Sequence, residues 1–410
     1  MGELREPENI MYSIKELKQK FNNKKVLITG HTGFKGSYLC VLLNLLGAKV
    51  YGYALVPEEN SLYEIFKNEI EINNKNDNVI KQLVEKEVYD DIRNYDALYN
   101  FIKEVEPDFI IHMAAQPLVI EGYKNPKYTF DVNVMGTVNL LEAIRCVYAN
   151  LNVVASSNVG ANLRARSLSI LNVTTDKVYE NKDLENYKFK EDDKLMGDDP
   201  YASSKSCSEL VTHSYKKSFF DENKNITISC ARAGNVIGGG DFAKNRIVPD
   251  IYRAYVENKN VELRNPDSTR PYQFVLEPLI VYLNILMYQY ENIDDKNKYE
   301  ACYNVGPDVE DILTTKELAE KVCEWFTKIG ANAVRPYESN GSHEPVSANC
   351  VSAKEKKFLC LDNNKIKKVF SYKKIFTNDD MIENTVKVYE GIFNKSEIIP
   401  IIYKIVENIK

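Results

Sequence analysis

Residues 25–36 read Lys25-Val26-Leu27-Ile28-Thr29-Gly30-His31-Thr32-Gly33-Phe34-Lys35-Gly36. The first five form a short aliphatic and β-branched run closed by a glycine, which predicts a buried strand. The glycines that follow, at GxxGxxG spacing, open an apolar pattern that predicts a helix over 36–46. Glycine permits a tight turn and close backbone approach, and a helix N-terminus aims unpaired N–H groups at whatever lies before it. Strand, glycine turn and helix in that order suit a pyrophosphate, and therefore a dinucleotide. The order Lys35-Gly36-Ser37 departs from the Gly-Lys-Ser of a nucleoside-triphosphate loop. Glycines alone would also serve a plain strand-to-helix turn. Their place at the first such junction of an alternating chain favours the cofactor.

That alternation continues outward. Strands are predicted at 49–54, 87–91, 108–113, 167–174 and 227–231, with helices at 95–104, near 127–148 and at 202–218. An amphipathic lead-in helix falls within 1–23. Apolar strands alternating with helices predict an α/β fold, a doubly wound parallel sheet of the Rossmann type. Residues 1–233 are expected to form the NAD-binding domain with the catalytic residues. After Gly238-Gly239-Gly240 the pattern loosens, and 234–410 reads as a smaller substrate-binding lobe that returns a strand to the sheet near 301–305.

The chain carries 410 residues and a net charge of −6, which argues against nucleic acid or an anionic membrane as partner. Any phosphate must be held by a local pocket. No stretch is apolar enough to span a bilayer, and Glu3, Glu6 and Glu8 do not suit a secretory signal. The eight cysteines form no CxxC pair, so reduced thiols in a cytoplasmic protein, without metal or disulfides, are expected.

Several positions carry chemistry. The second strand ends in Tyr53-Ala54, where an acidic residue would normally hold the adenosine ribose; NAD is preferred over NADP. Asp91, ending the third strand, could bond the adenine amino group or serve as a turn aspartate. Tyr201 and Lys205 are a YxxxK pair on one helix face. A lysine and a nicotinamide cation near the phenol would lower its pKa and make it a base for a sugar hydroxyl. The same spacing occurs at Tyr63/Lys67 and Tyr123/Lys127, but only the 201 copy follows a strand ending in hydroxyl and charged residues, Thr174-Thr175-Asp176-Lys177. Side chains at such a strand end converge on the ligand crevice. Arg232, Arg246, Arg264 and Arg270, set in loops with glycine and proline, suit capture of a diphosphate.

Together ITGHTGFKGSYL (28–39), HMAAQPLV (112–119), NVMGTVNLLEA (133–143), TTDKVYEN (174–181), PYASSK (200–205), RAGNVIGGGD (232–241) and RNPDSTRPYQFVLEPL (264–279) resemble the extended short-chain dehydrogenase/reductase family, and within it the CDP-glucose 4,6-dehydratases. Lysine at 177 matches that subgroup, where most sugar 4,6-dehydratases have glutamate. The resemblance implies a retained NAD held by Gly30, Thr32, Gly33, Phe34, Lys35, Gly36, Asp91, Ile92, Ala114, Ala115 and Gln116. It implies a CDP-linked sugar held by Arg232, Asn235, Arg246, Arg264, Arg270 and Gln273, and a homodimer built through two long helices. In the scheme it implies, Tyr201, with Thr175 and Lys205, takes the C4 hydroxyl proton as hydride passes to NAD. Lys177 then removes the C5 proton, Asp176 protonates the departing C6 hydroxyl, and hydride returns to C6. Lys177 can act as a base only when neutral, which burial beside Lys205 and the nicotinamide would favour.

The chain also departs from that pattern. Residues 155–167 and 347–353 look inserted. Phe242, Tyr272 and Phe274 replace the subgroup's Trp, Trp and His, and Asn245 replaces an Asp. A 4-epimerase or reductase of the same family would need Tyr201 and Lys205 but not Asp176-Lys177. An NAD-binding regulator without turnover would need none of them.

Overall fold

The computed structural model describes residues 11–73, 80–156, 167–180, 184, 187–223, 225–263, 265–329, 336–338 and 358–409. Arg264, residues 1–10 and the greater part of both apparent insertions lie outside that set. The run Lys25–Thr29 forms β1 and is buried from Val26 onward. Around it stand Lys49–Ala54 (β2), Lys86–Tyr89 (β3), Phe109–His112 (β4), Leu168–Thr175 (β5) and Ile226–Ala233 (β6); Cys302–Val305 returns as the seventh strand. Across the sheet the order is Cys302–Val305, β6, β5, β4, β1, β2, β3, and every pairing is parallel. All eight residues of β5 and of β6 are buried, as central strands covered on both faces must be. The doubly wound sheet matches the expectation. The strand order reverses between β1 and β4, which opens a crevice beyond the strand C-termini at that point.

One face is covered by Ile14–Phe21 (α1), Phe34–Leu45 (α2), Leu276–Glu291 and the C-terminal helices, which share a single apolar cluster. The other carries Tyr95–Val105 and Gly136–Ser156. Leu276–Glu291 is buried on every side from Leu276 to Gln289, as a helix apolar all round should be. The C-terminal part therefore supplies both a strand and a core helix to the sheet.

Two local readings differ from expectation. The helix expected near 127–148 is broken into Pro126–Phe130, a π turn at Asp131–Met135 and the helix Gly136–Ser156. The π turn carries Asn133, whose amide bonds the backbone of Gln116 in both directions and the Ser204 hydroxyl. Such a bulge lets one side chain reach a partner that a regular helix would miss. The helix Leu62–Asn73 was not expected; its Tyr63 and Lys67 reach Glu87 on β3.

Glu87 also lies 3.1 Å from His31 Nε2, in the glycine turn. Burial opposes its charge, yet the hydrogen bonds from His31, Tyr63, Tyr89 and Lys67 hold its carboxyl down to about 2. The His31 ring is buried flat over Gly52 of β2, where a Cβ would come within 2.5 Å of ring atoms. Gly52→Ala is accordingly expected to displace His31 and cost about 1–3 kcal/mol of stability, measured by urea denaturation; an unchanged midpoint would mean that the ring has room to move.

Candidate active site

The crevice begins at the glycine turn. Gly30 has φ +79°, in the left-handed region, and a Cβ there would sit 2.8 Å from the Ala114 amide nitrogen. A Cβ on Gly36 would lie 2.3 Å from the Gly30 carbonyl oxygen, so the turn closes on itself. Gly33 is the N-cap of α2, without a side-chain capping bond and with no acidic residue in the first turn. The amides of that turn point outward with nothing to neutralise the dipole, which fits a dinucleotide pyrophosphate. Phe34 packs edge-on against Tyr38 and approaches Gly238, tying the turn to the Gly238-Gly239-Gly240 loop. Thr32 donates to the Leu55 carbonyl. Ile92 is buried against Gly136.

Two residues expected at the cofactor engage elsewhere. Both Asp91 oxygens accept from Arg93 at 2.8–2.9 Å, which braces the turn after β3. The Gln116 side chain is buried, with its nitrogen donating to Thr129 and its oxygen accepting from the Leu118 amide. It shapes the loop at Ala114 and Ala115 without reaching into the crevice.

At the end of β5 the chain turns sharply through Asp176–Val178, capped by Thr175. The Thr175 hydroxyl donates to Asp176 Oδ1 at 3.0 Å, and Lys177 Nζ lies 3.6 Å from the same oxygen. Asp176 is fully buried and its Oδ2 has no partner, facing Gly234. A buried carboxylate oxygen without a donor is costly, and ligand sites are where such groups persist.

Tyr201 and Lys205 stand on the helix Pro200–Tyr215, whose start is set by Pro200 at the first position and by Asp199 accepting from the Ala202 amide at 2.9 Å. Tyr201 lies within hydrogen-bonding reach of Thr175. Its phenol is pushed up to about 12 by burial; Thr175 and Arg246 pull it down and Asp176 pushes it up. Lys205 instead donates to the Val173 carbonyl at 3.0 Å, and burial lowers its pKa to about 8 against the pull of Glu209 and Cys230. Desolvation here outweighs the pull of the neighbouring cation, which is Arg246, and the expected lowering rests on the nicotinamide as well as on Lys205. His112, buried between Thr29 and Thr137, is held neutral by burial and by Lys205, at about 3.

The lysine beside Lys205 is not the expected one. Lys177 keeps 28% of its side chain exposed. Lys35 from the glycine turn instead reaches in among Lys205, Arg246 and Asp176, and has no hydrogen bond or ion pair among the described residues. Burial first, then the two cations, lower it to about 8. Arg246 is anchored by Asp241 at 2.8 Å, so three cations converge on one crevice. Lys35 was legible as a member of the glycine turn, but its length and direction were not.

Among the residues expected at the substrate, Arg232 is corrected. Its guanidinium is 2% exposed, paired with both Glu209 oxygens at 2.5–2.9 Å, and also donates to Tyr179 and the Glu191 carbonyl. On β6 it faces the helix Pro200–Tyr215, where the pairing with Glu209 occupies it. Arg270 is buried and donates to the Thr269 carbonyl. Gln273 donates to the Val305 carbonyl at 2.9 Å and leaves its oxygen without a partner. The Asn235 carbonyl accepts from the Gln273 amide. Phe274 is wholly buried between Tyr38 and Phe376, a core ring.

A Rossmann sheet with a tyrosine and a lysine one helical turn apart at its crevice defines the extended short-chain dehydrogenase/reductase class. A family model described as GDP-mannose 4,6 dehydratase matches residues 27–385, and the chain belongs to that family. It is 39% identical to the CDP-glucose 4,6-dehydratase of Salmonella typhimurium over 310 residues, 74% of this chain and 77% of that one. In fold it is similar to the dTDP-glucose 4,6-dehydratase of Bacillus anthracis in complex with NAD, at TM-score 0.64 and 19% identity over 92% of this chain and 99% of the other. The UDP-glucose 4-epimerase of Thermus thermophilus with NAD is similar at TM-score 0.66 and 20% identity, over 90% and 99%.

Two substitutions test the geometry. Arg232→Met should leave Glu209 buried and unpaired, costing about 3–5 kcal/mol in urea denaturation; full stability with weaker substrate binding would restore Arg232 to the substrate site. Lys35→Met, in nucleotide-stripped protein, should stabilise by about 1–2 kcal/mol at pH 7. Because the folded-state pKa lies below the usual lysine value of 10.5, the cost of the charge is full below about 8 and fades as pH rises from there. The gain should therefore shrink between pH 7 and pH 10.

Proposed function

We propose that this protein is a lyase that converts a CDP-linked hexose or related sugar to its 4-keto-6-deoxy form with loss of water. The observation that carries the reading is Asp176, buried between Thr175 and Lys177 with one free oxygen on the crevice that Tyr201 also faces. Oxidation at C4 alone, as in a 4-epimerase, has no use for this second acid–base pair. The CDP-glucose 4,6-dehydratase relative supports both the reaction and the cytidine nucleotide. NAD, when bound at the Gly30–Gly36 turn, supplies the acceptor for the C4 hydride and returns it to C6.

The chain's own groups do the rest. Tyr201 accepts the O4 proton, with Thr175 sharing the hydrogen bond and Arg246 favouring the phenolate. The C4 ketone acidifies C5–H; Lys177, its own proton passed to Asp176 3.6 Å away, takes the C5 proton, and Asp176 delivers the one it received to O6, which leaves as water. Lys35, Lys205 and Arg246 supply the positive potential for diphosphate that the net charge of −6 does not. Arg270 and Gln273 contribute from the segment after residue 234.

A homodimer is supported by apolar residues left exposed near the two long helices, among them Leu118, Phe130, Met135, Leu210 and Phe219. No helix among the described residues is long and apolar enough to cross a membrane.

Deuterium at C4 of CDP-glucose gives the decisive readout. The product should carry the label at C6. Lys177→Met should still accumulate reduced cofactor on adding the sugar while product falls by about 10²–10⁴-fold, the loss typical of a missing general base. Tyr201→Phe should stop both. An inverted C4 with the C6 hydroxyl retained would mean an epimerase, and equal turnover of a dTDP- or GDP-sugar would remove the cytidine assignment.

A further inference from the structure

Where β6 and the returning strand meet the helix Pro200–Tyr215 lies a group of side chains that this reaction does not use. Cys302 on the returning strand and Cys230 on β6 are register partners in a parallel pair, so both side chains leave the same face of the sheet. Their sulfurs and a Glu209 carboxylate oxygen all lie within 4.8 Å of one another. The two thiols lie against each other, and Cys302 also approaches Glu209 Oε2 at 3.8 Å. Neighbouring strands run about 4.8 Å apart, inside the Cα separation that a disulfide accepts. Three nearby ligand atoms could suggest a metal, but Arg232 and Thr174 already occupy the Glu209 oxygens.

The two sulfurs are unequal. Cys230 is fully buried, whereas Cys302 is half-buried and lines an open cavity of about 360 Å³ together with Glu191, Asp192 and Lys365. Contact with Cys230 pulls the Cys302 thiol down, against burial and Glu209, with help from Arg232 and Lys365. The same contact, with burial, pushes Cys230 up. An accessible, more acidic thiol beside a buried partner is the arrangement of an attacking and a resolving cysteine.

We propose that Cys302 and Cys230 form a reversible thiol–disulfide site, oxidised by hydrogen peroxide entering through the cavity at Cys302. The Cys302 thiolate attacks one peroxide oxygen, breaking the O–O bond; it becomes a sulfenic acid and the departing hydroxide takes a proton to leave as water. The Cys230 sulfur then displaces the sulfenic hydroxyl, its proton leaving with that hydroxyl as a second water. Two thiols and one peroxide give one disulfide and two waters. The bond forms one helical turn from Lys205, since Glu209 follows it by four residues and Lys205 senses both Glu209 and Cys230.

Peroxide treatment of the full-length protein is expected to lower its mass by two hydrogens, to yield a peptide linking Cys230 to Cys302, and to be reversed by dithiothreitol. Before oxidation, iodoacetamide should label Cys302 about 10-fold or more faster than the buried Cys40. Cys230→Ala should strand Cys302 as a sulfenic acid that dimedone captures. Since a buried variant can misfold, Cys302→Ser is the companion, and it should leave Cys230 unmodified by peroxide. Sulfenic acid at Cys302 in the wild type without a linked peptide, or a link from Cys302 to any other cysteine, would overturn the proposal.

Discussion

The ion pair between Glu209 and Arg232 is the constraint on which the site depends. Two ionised groups have been removed from water almost completely, and their attraction offsets that cost only because every remaining valence is filled. Thr174, Tyr179 and the Glu191 carbonyl fill them, so β5, β6, the turn after β5 and the helix Pro200–Tyr215 meet at one point. Glu209 stands four and eight residues beyond Lys205 and Tyr201 and shares their helix face. Fixing its rotation and height against β6 therefore also fixes where the phenol and the ammonium stand. Ser204, Ser208 and Thr212 continue the same face, with hydroxyls bonded to Asn133, Thr137 and Asn172. A helix packed on a sheet by polar contacts has few alternative registers, because a shift of one residue would leave several buried donors unpaired.

On the other side of the sheet end, the crevice concentrates positive charge within a protein that is acidic overall. Lys35, Lys205 and Arg246 come from three separated segments, and Arg246 alone has a carboxylate partner among the described residues. Holding such cations near one another and partly dry costs folding free energy, visible in lysine pKa values near 8. That cost becomes intelligible if anionic ligands complete the site, since the same desolvation that penalises the charges strengthens their attraction for phosphate. Asp176 faces the complementary difficulty, a buried carboxylate oxygen awaiting a donor.

The sheet, its parallel sense and the returning strand were all legible in the chain. Lys25–Thr29 and Phe109–His112 are apolar runs too short for helices and too continuous for one-sided strands. The grouping of Thr175, Asp176 and Tyr201 was legible too, because a strand C-terminus and a helix N-terminus flank a crevice in any such fold. Arg232 was misread for a reason that sequence does not contain. Thr227 and Ser229 alternate with Ile226 and Ile228 on β6, but all eight residues are buried, so the alternation marks no solvent face and an arginine next to a glycine loop reads like a ligand residue. The partners of Asp91 and Gln116, Arg93 and Thr129, could not be foreseen, because they are ordinary polar residues whose side-chain directions no periodicity records.

By itself the sequence determined the class of fold and the position of the glycine turn, since these follow from local periodicity and from glycine sterics, and it singled out Thr175, Asp176, Lys177 and Tyr201 by the chemistry of adjacent side chains. Only the tertiary structure decided which lysine stands beside Lys205, which arginine faces ligand and which braces the core, and that Cys230 and Cys302 lie side by side across a strand pair. Those are contacts between residues tens of positions or more apart, and the direction of a long side chain is set by the neighbours that exclude or bind it.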